Sequence, residues 1–259
     1  MKDFELKSHL KKGALTIGSW ITLGSADTTE IMAQSGFDWL TIDMEHSVIT
    51  LDKAQELIRT IEANDTVPLV RVAENRIEVI KQVMDAGAYG VIVPFVNTQE
   101  DAVRAVEAVK YPPLGKRGVG LARAQGHGLS FNHYKNWVNK ESICIVQIEH
   151  ITAVENLEEI LQVKDIDGFI VGPYDLSASL GVPGEFNHPQ VKDACRRIMK
   201  IAKKFGKPAG FHLIPPDASE LSKKVKEGYS LLGFSLDALF LGTFCRQQLT
   251  QAKKVLRKR

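Results

Sequence analysis

The sequence predicts one α/β domain, a single (β/α)8 barrel spanning residues 1–259 with an extra C-terminal helix. Three observations predict it. The length of 259 residues is that of one such barrel, a fold of typically about 250 residues. Short runs rich in Val, Ile, Leu and Phe recur along the chain without strict alternation, the pattern of strands buried on both faces. Helix-period segments separate most of these runs, and that alternation builds a parallel sheet.

The strand candidates are Leu15–Trp20, Trp39–Asp43, Pro68–Val72, Gly90–Pro94, Ile143–Glu149, Gly168–Val171, Ala209–His212 and Ala238–Leu241. Among the helices, Thr28–Gln34 has Asp27 or Thr28 as its N-cap and Gly36 as its stop, because a side-chain oxygen satisfies free N–H groups at the start and glycine adopts the left-handed turn at the end. Ile77–Asp85 is closed by Gly87, and Val191–Phe205 by Gly206; Ala153–Leu161 is a further helix. Two stretches break the rhythm. Tyr111–His133 has no clean period and carries Pro112, Pro113, Arg117, Arg123 and His127; a loop of that length is usually functional or mobile. Gln247–Arg259 is helical in character and lies beyond the eighth strand. There is no internal repeat, low-complexity tract or domain linker.

A net charge of +2, with 44% hydrophobic and 25% charged residues, describes an ordinary globular chain. That charge leaves no footprint for nucleic acid or an acidic membrane surface. The basic tail Lys253–Arg259 reads as a solvated helix end whose cations complement the helix dipole. Cys144, Cys195 and Cys245 have neither metal-type spacing nor the even count of a disulfide framework. The N-terminus has no apolar signal core, and no run reaches the roughly 18 apolar residues of a membrane span. A cytoplasmic location is expected.

In this fold the chemistry sits at the carboxyl ends of the strands. Polar residues gather there from distant parts of the chain: Trp20 on the first strand; Asp43, Glu45 and His46 on or after the second; Arg71 on the third; Gln147 and Glu149 on the fifth; Asp175 after the sixth; and His212 on the seventh. Several have a plain structural reading. Arg71 could simply pair with a carboxylate, His212 could be a satisfied core histidine, and Trp20 could be a barrel plug. Glu149 and Asp175 are harder to explain that way. Two carboxylates converging from neighbouring strand ends repel each other, and a divalent cation with oxygen ligands relieves the repulsion. No strand candidate ends in the lysine that a Schiff-base mechanism requires. No glycine-rich phosphate cup follows strands seven and eight, and no dinucleotide fingerprint follows the first.

Five motifs occur in order: Asp43-Met44-Glu45-His46; Pro68-Leu69-Val70-Arg71-Val72; Asp85-Ala86-Gly87-Ala88-Tyr89-Gly90-Val91; Gln147-Ile148-Glu149; and Gly172-Pro173-Tyr174-Asp175-Leu176-Ser177. Together, at this spacing, they resemble the HpcH/HpaI aldolase family, metal-dependent class II pyruvate aldolases, from about Gly18 to Leu241. The resemblance implies a carbon–carbon lyase that cleaves a 4-hydroxy-2-oxo acid to pyruvate and an aldehyde, the acid being of the 2-keto-3-deoxy sugar acid or 4-hydroxy-2-oxo-heptanedioate type. It implies Glu149 and Asp175 as ligands of Mg2+, Mn2+ or Co2+, with Gln147 beside them as a substrate contact. Arg71 would bind pyruvate and stabilise its enolate oxygen. His46 would transfer a proton, oriented by Asp85. The N–H groups of Tyr174 and Asp175 would receive the pyruvate carboxylate, and Trp20 would line the pocket. The family also implies a homo-oligomer, a hexamer with terminal helices exchanged. Two alternatives remain open: a Claisen-type lyase acting on an acyl-CoA, for which Lys135 and Lys140 are candidate nucleotide contacts, and a non-catalytic barrel that binds an acid metabolite.

Overall fold

The computed structural model describes residues 1–2 and 4–256. Eight parallel strands close a barrel in sequence order: β1 (Thr16–Ile21), β2 (Trp39–Asp43), β3 (Val67–Arg71), β4 (Gly90–Val93), β5 (Ile143–Ile148), β6 (Gly168–Val171), β7 (Ala209–Leu213) and β8 (Leu231–Leu236). β8 returns to β1 through pairs from Thr16 with Leu231 to Trp20 with Leu236. The helices are α1 (Leu6–Lys12), α2 (Ala26–Ala33), α3 (Leu51–Ala63), α4 (Ile77–Asp85), α5 (Gln99–Val109), α6 (Phe131–Glu141), α7 (Ile151–Glu155), α8 (Leu157–Gln162), α9 (Pro173–Ser179), α10 (Pro189–Phe205), α11 (Ala218–Glu227) and α12 (Asp237–Leu256). The first seven strand expectations hold to within one or two residues. The helix expected at Ala153–Leu161 is two short helices, α7 and α8, meeting at Asn156. The N-cap of α2 is Ser25, whose side chain accepts from the Thr28 N–H, rather than Asp27 or Thr28.

The eighth strand is a correction. Ala238–Leu241 belongs to α12, and the strand is the preceding run Leu231-Leu232-Gly233-Phe234-Ser235-Leu236. Gly233 and Ser235 dilute that run, and each has a structural reason. A Cβ at Gly233 would collide with the Trp20 ring inside the barrel. Ser235 takes a positive φ of 56° where the register against β1 shifts. The C-terminal helix is present, but it starts directly at the end of β8. Residues 257–259 of the basic tail lie outside the described residues.

Two tryptophans fill the barrel. Trp20 and Trp39 meet edge to face at 5.6 Å, with Gly18 leaving room for Trp39 as Gly233 does for Trp20. Asp237 fastens the closing seam. Its buried carboxylate accepts from the N–H groups of Thr22 and Leu23, each at 3.0 Å, and from Thr22 Oγ1 at 2.7 Å, tying the end of β8 to the end of β1.

Alternation of parallel strands with returning helices gives the barrel two distinct ends. Strand ends and helix starts meet at the carboxyl mouth, and helix ends meet at the opposite, amino-terminal face. The segment expected to be irregular, Tyr111–His133, is anchored near that opposite face. Arg117 is buried and donates from Nη2 to Asp85 Oδ1 at 2.6 Å and from Nη1 to Tyr134 Oη at 2.9 Å. Gln125 bridges Asp85 and Tyr111.

Candidate active site

The carboxyl mouth collects side chains from β1, β2, β3, β5 and β7 and from the loops after β2 and β6. Asp43 ends β2 and Arg71 ends β3, paired across the sheet register. Arg71 Nε donates to Asp43 Oδ1 at 3.0 Å and Nη2 to Oδ2 at 2.6 Å, a bidentate fork. Burial pushes the Asp43 carboxyl upward, yet Arg71 outweighs it, and the group lies below its ordinary value. Two further N–H groups fix the turn after β2, since Asp43 Oδ1 also accepts from Glu45 N at 3.0 Å and His46 N at 3.1 Å. The Asp43-Met44-Glu45-His46 motif is therefore a loop wound around the first carboxylate.

That winding brings Glu45 inward and His46 outward. Glu45 Oε2 lies 3.2 Å from Arg71 Nη1 and 3.7 Å from His46 Nε2. Burial, countered by Arg71 and reinforced by the charges of Glu149, Asp43 and Asp175, pushes the Glu45 carboxyl up to about 7. The His46 side chain is 60% exposed, at the rim.

Glu149, just past β5, is buried, and Oε1 accepts from Phe95 N at 2.8 Å while Oε2 accepts from Gln147 Nε2. Phe95 adopts a positive φ of 51° to present that N–H, a conformation that costs a non-glycine residue about 1–2 kcal/mol. Gly172 leaves room for the same carboxylate, because a Cβ there would stand 2.7 Å from Glu149 Oε2. Burial raises the Glu149 pKa, and the charge of Asp175 adds to the rise against the two hydrogen bonds. Asp175 sits in the first turn of α9, half-buried, with Tyr174 beside it against Phe186 at 4.9 Å. Among the described residues no cluster of three or more His, Cys, Asp or Glu could hold a metal ion. The donor set is instead an acidic pair, one member held by a backbone N–H and an amide and the other half-open. Such a pair suits a hard divalent ion whose remaining positions are filled by substrate oxygens and water.

His212 takes its structural reading. Its ring stacks on Trp20 at 3.9 Å, and Nε2 donates to the Ser235 carbonyl at 3.2 Å. Burial and the nearby Arg71 push it down to about 4, so it is a neutral ring near pH 7. Trp20 is both plug and wall: it is buried, and the Arg71 guanidinium stands 5.9 Å from its ring.

The structure thus brings together Trp20, His46, Arg71, Gln147, Glu149 and Asp175, with Tyr174 at the rim. It does not bring Asp85 to His46. Asp85 ends α4 at the opposite face, where Arg117 and Gln125 engage it. Within one chain it cannot orient that imidazole. Reading the sequence also missed the clamp role of Asp43, the buried Glu45 and the N–H of Phe95. The first two stood in a recognised motif. Nothing in the residue type marks Phe95.

Buried lysine lies at the wrong end for Schiff-base chemistry. Burial pushes Lys110 down to about 8, but its ammonium donates to Ser142 Oγ at 2.9 Å and to the Val138 carbonyl at 3.1 Å, below β5. Lys7 pairs with Asp167 at 3.0 Å at the same face.

The family model for HpcH/HpaI aldolase/citrate lyase matches residues 16–240. The chain belongs to this family. It is similar to 2-keto-3-deoxy-L-rhamnonate aldolase of Escherichia coli K12, with 37% identity over 249 residues that cover 95% of this chain and 92% of the relative. An HpcH/HpaI aldolase/citrate lyase family protein from Burkholderia cenocepacia J2315 superposes with a TM-score of 0.93 at 32% identity, covering 97% of this chain and all of that one. An HpcH/HpaI aldolase from Desulfitobacterium hafniense DCB-2 gives 0.88 at 30% identity, with 97% of each chain covered. Membership makes the protein a carbon–carbon lyase of the aldolase type. No helix among the described residues is long and apolar enough to cross a membrane.

Proposed function

We propose that the protein is a divalent-metal-dependent aldolase that reversibly cleaves a 2-keto-3-deoxy sugar acid, or a related 4-hydroxy-2-oxo acid, to pyruvate and an aldehyde. The observation that carries the reading is the mouth itself: an acidic pair, Glu149 and Asp175, facing a clamped cation, Arg71, with no lysine between them. Aldol cleavage leaves negative charge on the enolate oxygen of pyruvate. A bound Mg2+, Mn2+ or Co2+ would act as a Lewis acid toward the keto and carboxylate oxygens of the substrate.

The other steps belong to this chain. Gln147 and the Phe95 N–H fix Glu149 in one orientation. A guanidinium has five N–H donors. In Arg71, Nε and Nη2 are engaged by Asp43 and Nη1 lies 3.2 Å from Glu45 Oε2, and the guanidinium charge meets the negative charge that develops on oxygen. The first-turn N–H groups of Tyr174 and Asp175 have no acceptor within their helix and suit a substrate carboxylate. His46 removes the proton of the aldol hydroxyl as a general base. Its carboxylate neighbour within the chain is Glu45. Asp85 could serve His46 only from another subunit. This fits a homo-oligomer, of which the exposed apolar residues Leu241, Phe244 and Leu249 along α12 are a second sign. We place the protein in the cytoplasm and read the oligomer as a hexamer with exchanged α12 helices. The acyl-CoA reading loses its candidates, since Lys135 and Lys140 lie on α6, which runs down toward the face away from the mouth.

The test is a cleavage assay with 2-keto-3-deoxy-L-rhamnonate and shorter 4-hydroxy-2-oxo acids, with pyruvate release read by a coupled dehydrogenase. Release should require Mg2+ or Mn2+ and stop in a chelator. Undiminished release in the chelator, or covalent trapping of pyruvate by borohydride, would contradict the proposal.

A further inference from the structure

One oxygen in the mouth stands between two donors and bonds to neither. Glu45 Oε2 lies 3.2 Å from Arg71 Nη1 and 3.7 Å from His46 Nε2. It is buried and has no hydrogen-bond partner among the described residues. The contact with Nη1 has the length of a hydrogen bond without its alignment, and the contact with Nε2 is too long to be one. A buried acceptor left unpaired is unfavourable, so a small rotation of the carboxylate toward either donor is favoured. The surrounding groups lack that freedom. The N–H groups of Glu45 and His46 are tied to Asp43 Oδ1 at 3.0 and 3.1 Å, and Asp43 also holds Arg71 through Nε and Nη2. Nη1 is the guanidinium nitrogen that Asp43 leaves to Glu45.

Substrate decides between the two donors. A pyruvate oxygen that approaches Arg71 competes with Glu45 for Nη1, and two anions at one donor repel each other. The carboxylate then gives way toward His46, closing 3.7 Å to the roughly 2.7–3.2 Å of a hydrogen bond. His46 gains from that exchange. A neutral imidazole has one N–H and one bare nitrogen, and the hydrogen bond made by one nitrogen sets the role of the other. With Nε2–H donating to Glu45, Nδ1 carries the lone pair. The aldol hydroxyl proton moves to Nδ1, and the carboxylate stabilises the imidazolium that forms.

We propose that Glu45 is a positioning residue that exchanges Arg71 for His46 as substrate binds, and that it thereby fixes the imidazole tautomer in which Nδ1 takes the aldol proton. The role rests on the reading of His46 as the base. It makes Glu45 oppose pyruvate binding and promote proton transfer, two effects of opposite sign from one carboxylate. The test also separates this role from that of Asp85, which could reach the imidazole only from another subunit.

The experiment uses the full-length protein at saturating Mn2+. Calorimetry reads pyruvate affinity, and pyruvate release reads turnover of 2-keto-3-deoxy-L-rhamnonate or of the shorter 4-hydroxy-2-oxo acid cleaved best. Glu45→Gln removes the charge that competes for Arg71. It should bind pyruvate several-fold more tightly while turnover falls by about 10–100-fold, as when a supporting contact of a site residue is lost. Glu45→Asp keeps the charge but withdraws it by one methylene, so turnover should fall by a similar factor with pyruvate bound no more tightly than in the wild type. In a His46→Ala background neither change should cost much further turnover, because the losses share one path. Normal turnover in either folded Glu45 variant would overturn the role, as would weaker pyruvate binding in Glu45→Gln. Losses that add fully to His46→Ala, while those of Asp85→Asn do not, would overturn it in favour of Asp85. If Glu45→Gln does not fold, Glu45→Asp alone and on His46→Ala decides by the same turnover outcomes. A wild type that cleaves none of these acids would overturn the aldolase reading together with this role, whereas an active wild type with unchanged variants overturns this role alone.

Discussion

Asp43 grips Arg71 through two parallel hydrogen bonds, Nε to Oδ1 at 3.0 Å and Nη2 to Oδ2 at 2.6 Å, with both residues buried at adjacent strand ends. The fork fixes the guanidinium plane and leaves Nη1 3.2 Å from Glu45 Oε2. Removing one partner of a buried pair typically costs about 3–5 kcal/mol because the other charge is left uncompensated. Asp43→Ala should therefore lower the melting temperature strongly. Asp43→Asn keeps one acceptor and should fold, with raised KM for pyruvate and reduced turnover. Thermal melts and steady-state kinetics on the two variants check this; wild-type kinetics in Asp43→Asn would show that the fork is only structural.

Arg71 and His46 should fail differently. Arg71 is proposed to meet pyruvate before and during enolate formation, so Arg71→Ala should weaken pyruvate binding and slow methyl-proton exchange by about 10²–10³, as when one preorganised charged donor is lost. His46→Ala should depress cleavage by about 10²–10⁴, the range for a general base, with little effect on pyruvate affinity. His46 is exposed at the rim, so its loss should leave the melting temperature near normal. A folded His46→Ala enzyme with near-normal turnover would end its assignment as the proton-transfer residue.

Two buried groups should pull stability in opposite directions with pH. Glu45 is raised from 4.5 to about 7, chiefly by burial. The folded state therefore binds its proton more tightly than the unfolded state, and stability falls as pH rises from about 4.5 through 7. His212 is lowered from 6.5 to about 4, again chiefly by burial. The unfolded state binds that proton more tightly, so stability is present above about 6.5 and is lost as pH falls toward 4. The two slopes oppose each other over the shared window. In chelator-treated protein, Glu45→Gln should unmask a stability that climbs between pH 4 and 6.5, and His212→Asn one that declines between pH 4.5 and 7. Denaturant titrations across that range read both slopes, and parallel profiles in the two variants would refute the pairing.

Gly172 offers a narrow test of the acidic pair. A Cβ there would stand 2.7 Å from Glu149 Oε2 and push the carboxylate aside. Supporting contacts of metal ligands are typically worth 10–100-fold in affinity. Gly172→Ala should weaken Mn2+ binding by about that factor in calorimetry, and Glu149→Gln should weaken it further. Unchanged Mn2+ affinity in Glu149→Gln would remove Glu149 from the proposed ligand set.

Most of this architecture was legible in the residues because parallel strands buried on both faces leave apolar runs. Ile143–Ile148 and Gly90–Val93 are legible in this way. β8 was not, because it carries Gly233 to make room for Trp20 and Ser235 where the seam shifts register. A strand shaped by neighbours distant in sequence loses its own periodic signature. The same limit applied at the mouth. Polar residues at strand ends identified the candidate site, and the motif around Asp43 was visible. Which carboxylate faces His46 depends on how the loop winds, and it is Glu45 in this chain because two backbone N–H groups turn back onto Asp43. The position of Asp85 follows from the direction of α4, which carries it to the opposite face. The Phe95 contact to Glu149 is a backbone interaction and leaves no trace in residue identity.

The most direct test of the central claim is solvent exchange of the pyruvate methyl protons, followed by proton NMR in deuterated buffer with no aldehyde present. The account predicts exchange that requires Mg2+ or Mn2+, stops on chelation, is lost in Glu149→Gln and is sharply slowed in Arg71→Ala. Exchange that persists at the wild-type rate in the chelator, or its absence from an oligomeric, metal-loaded wild-type enzyme, would contradict it.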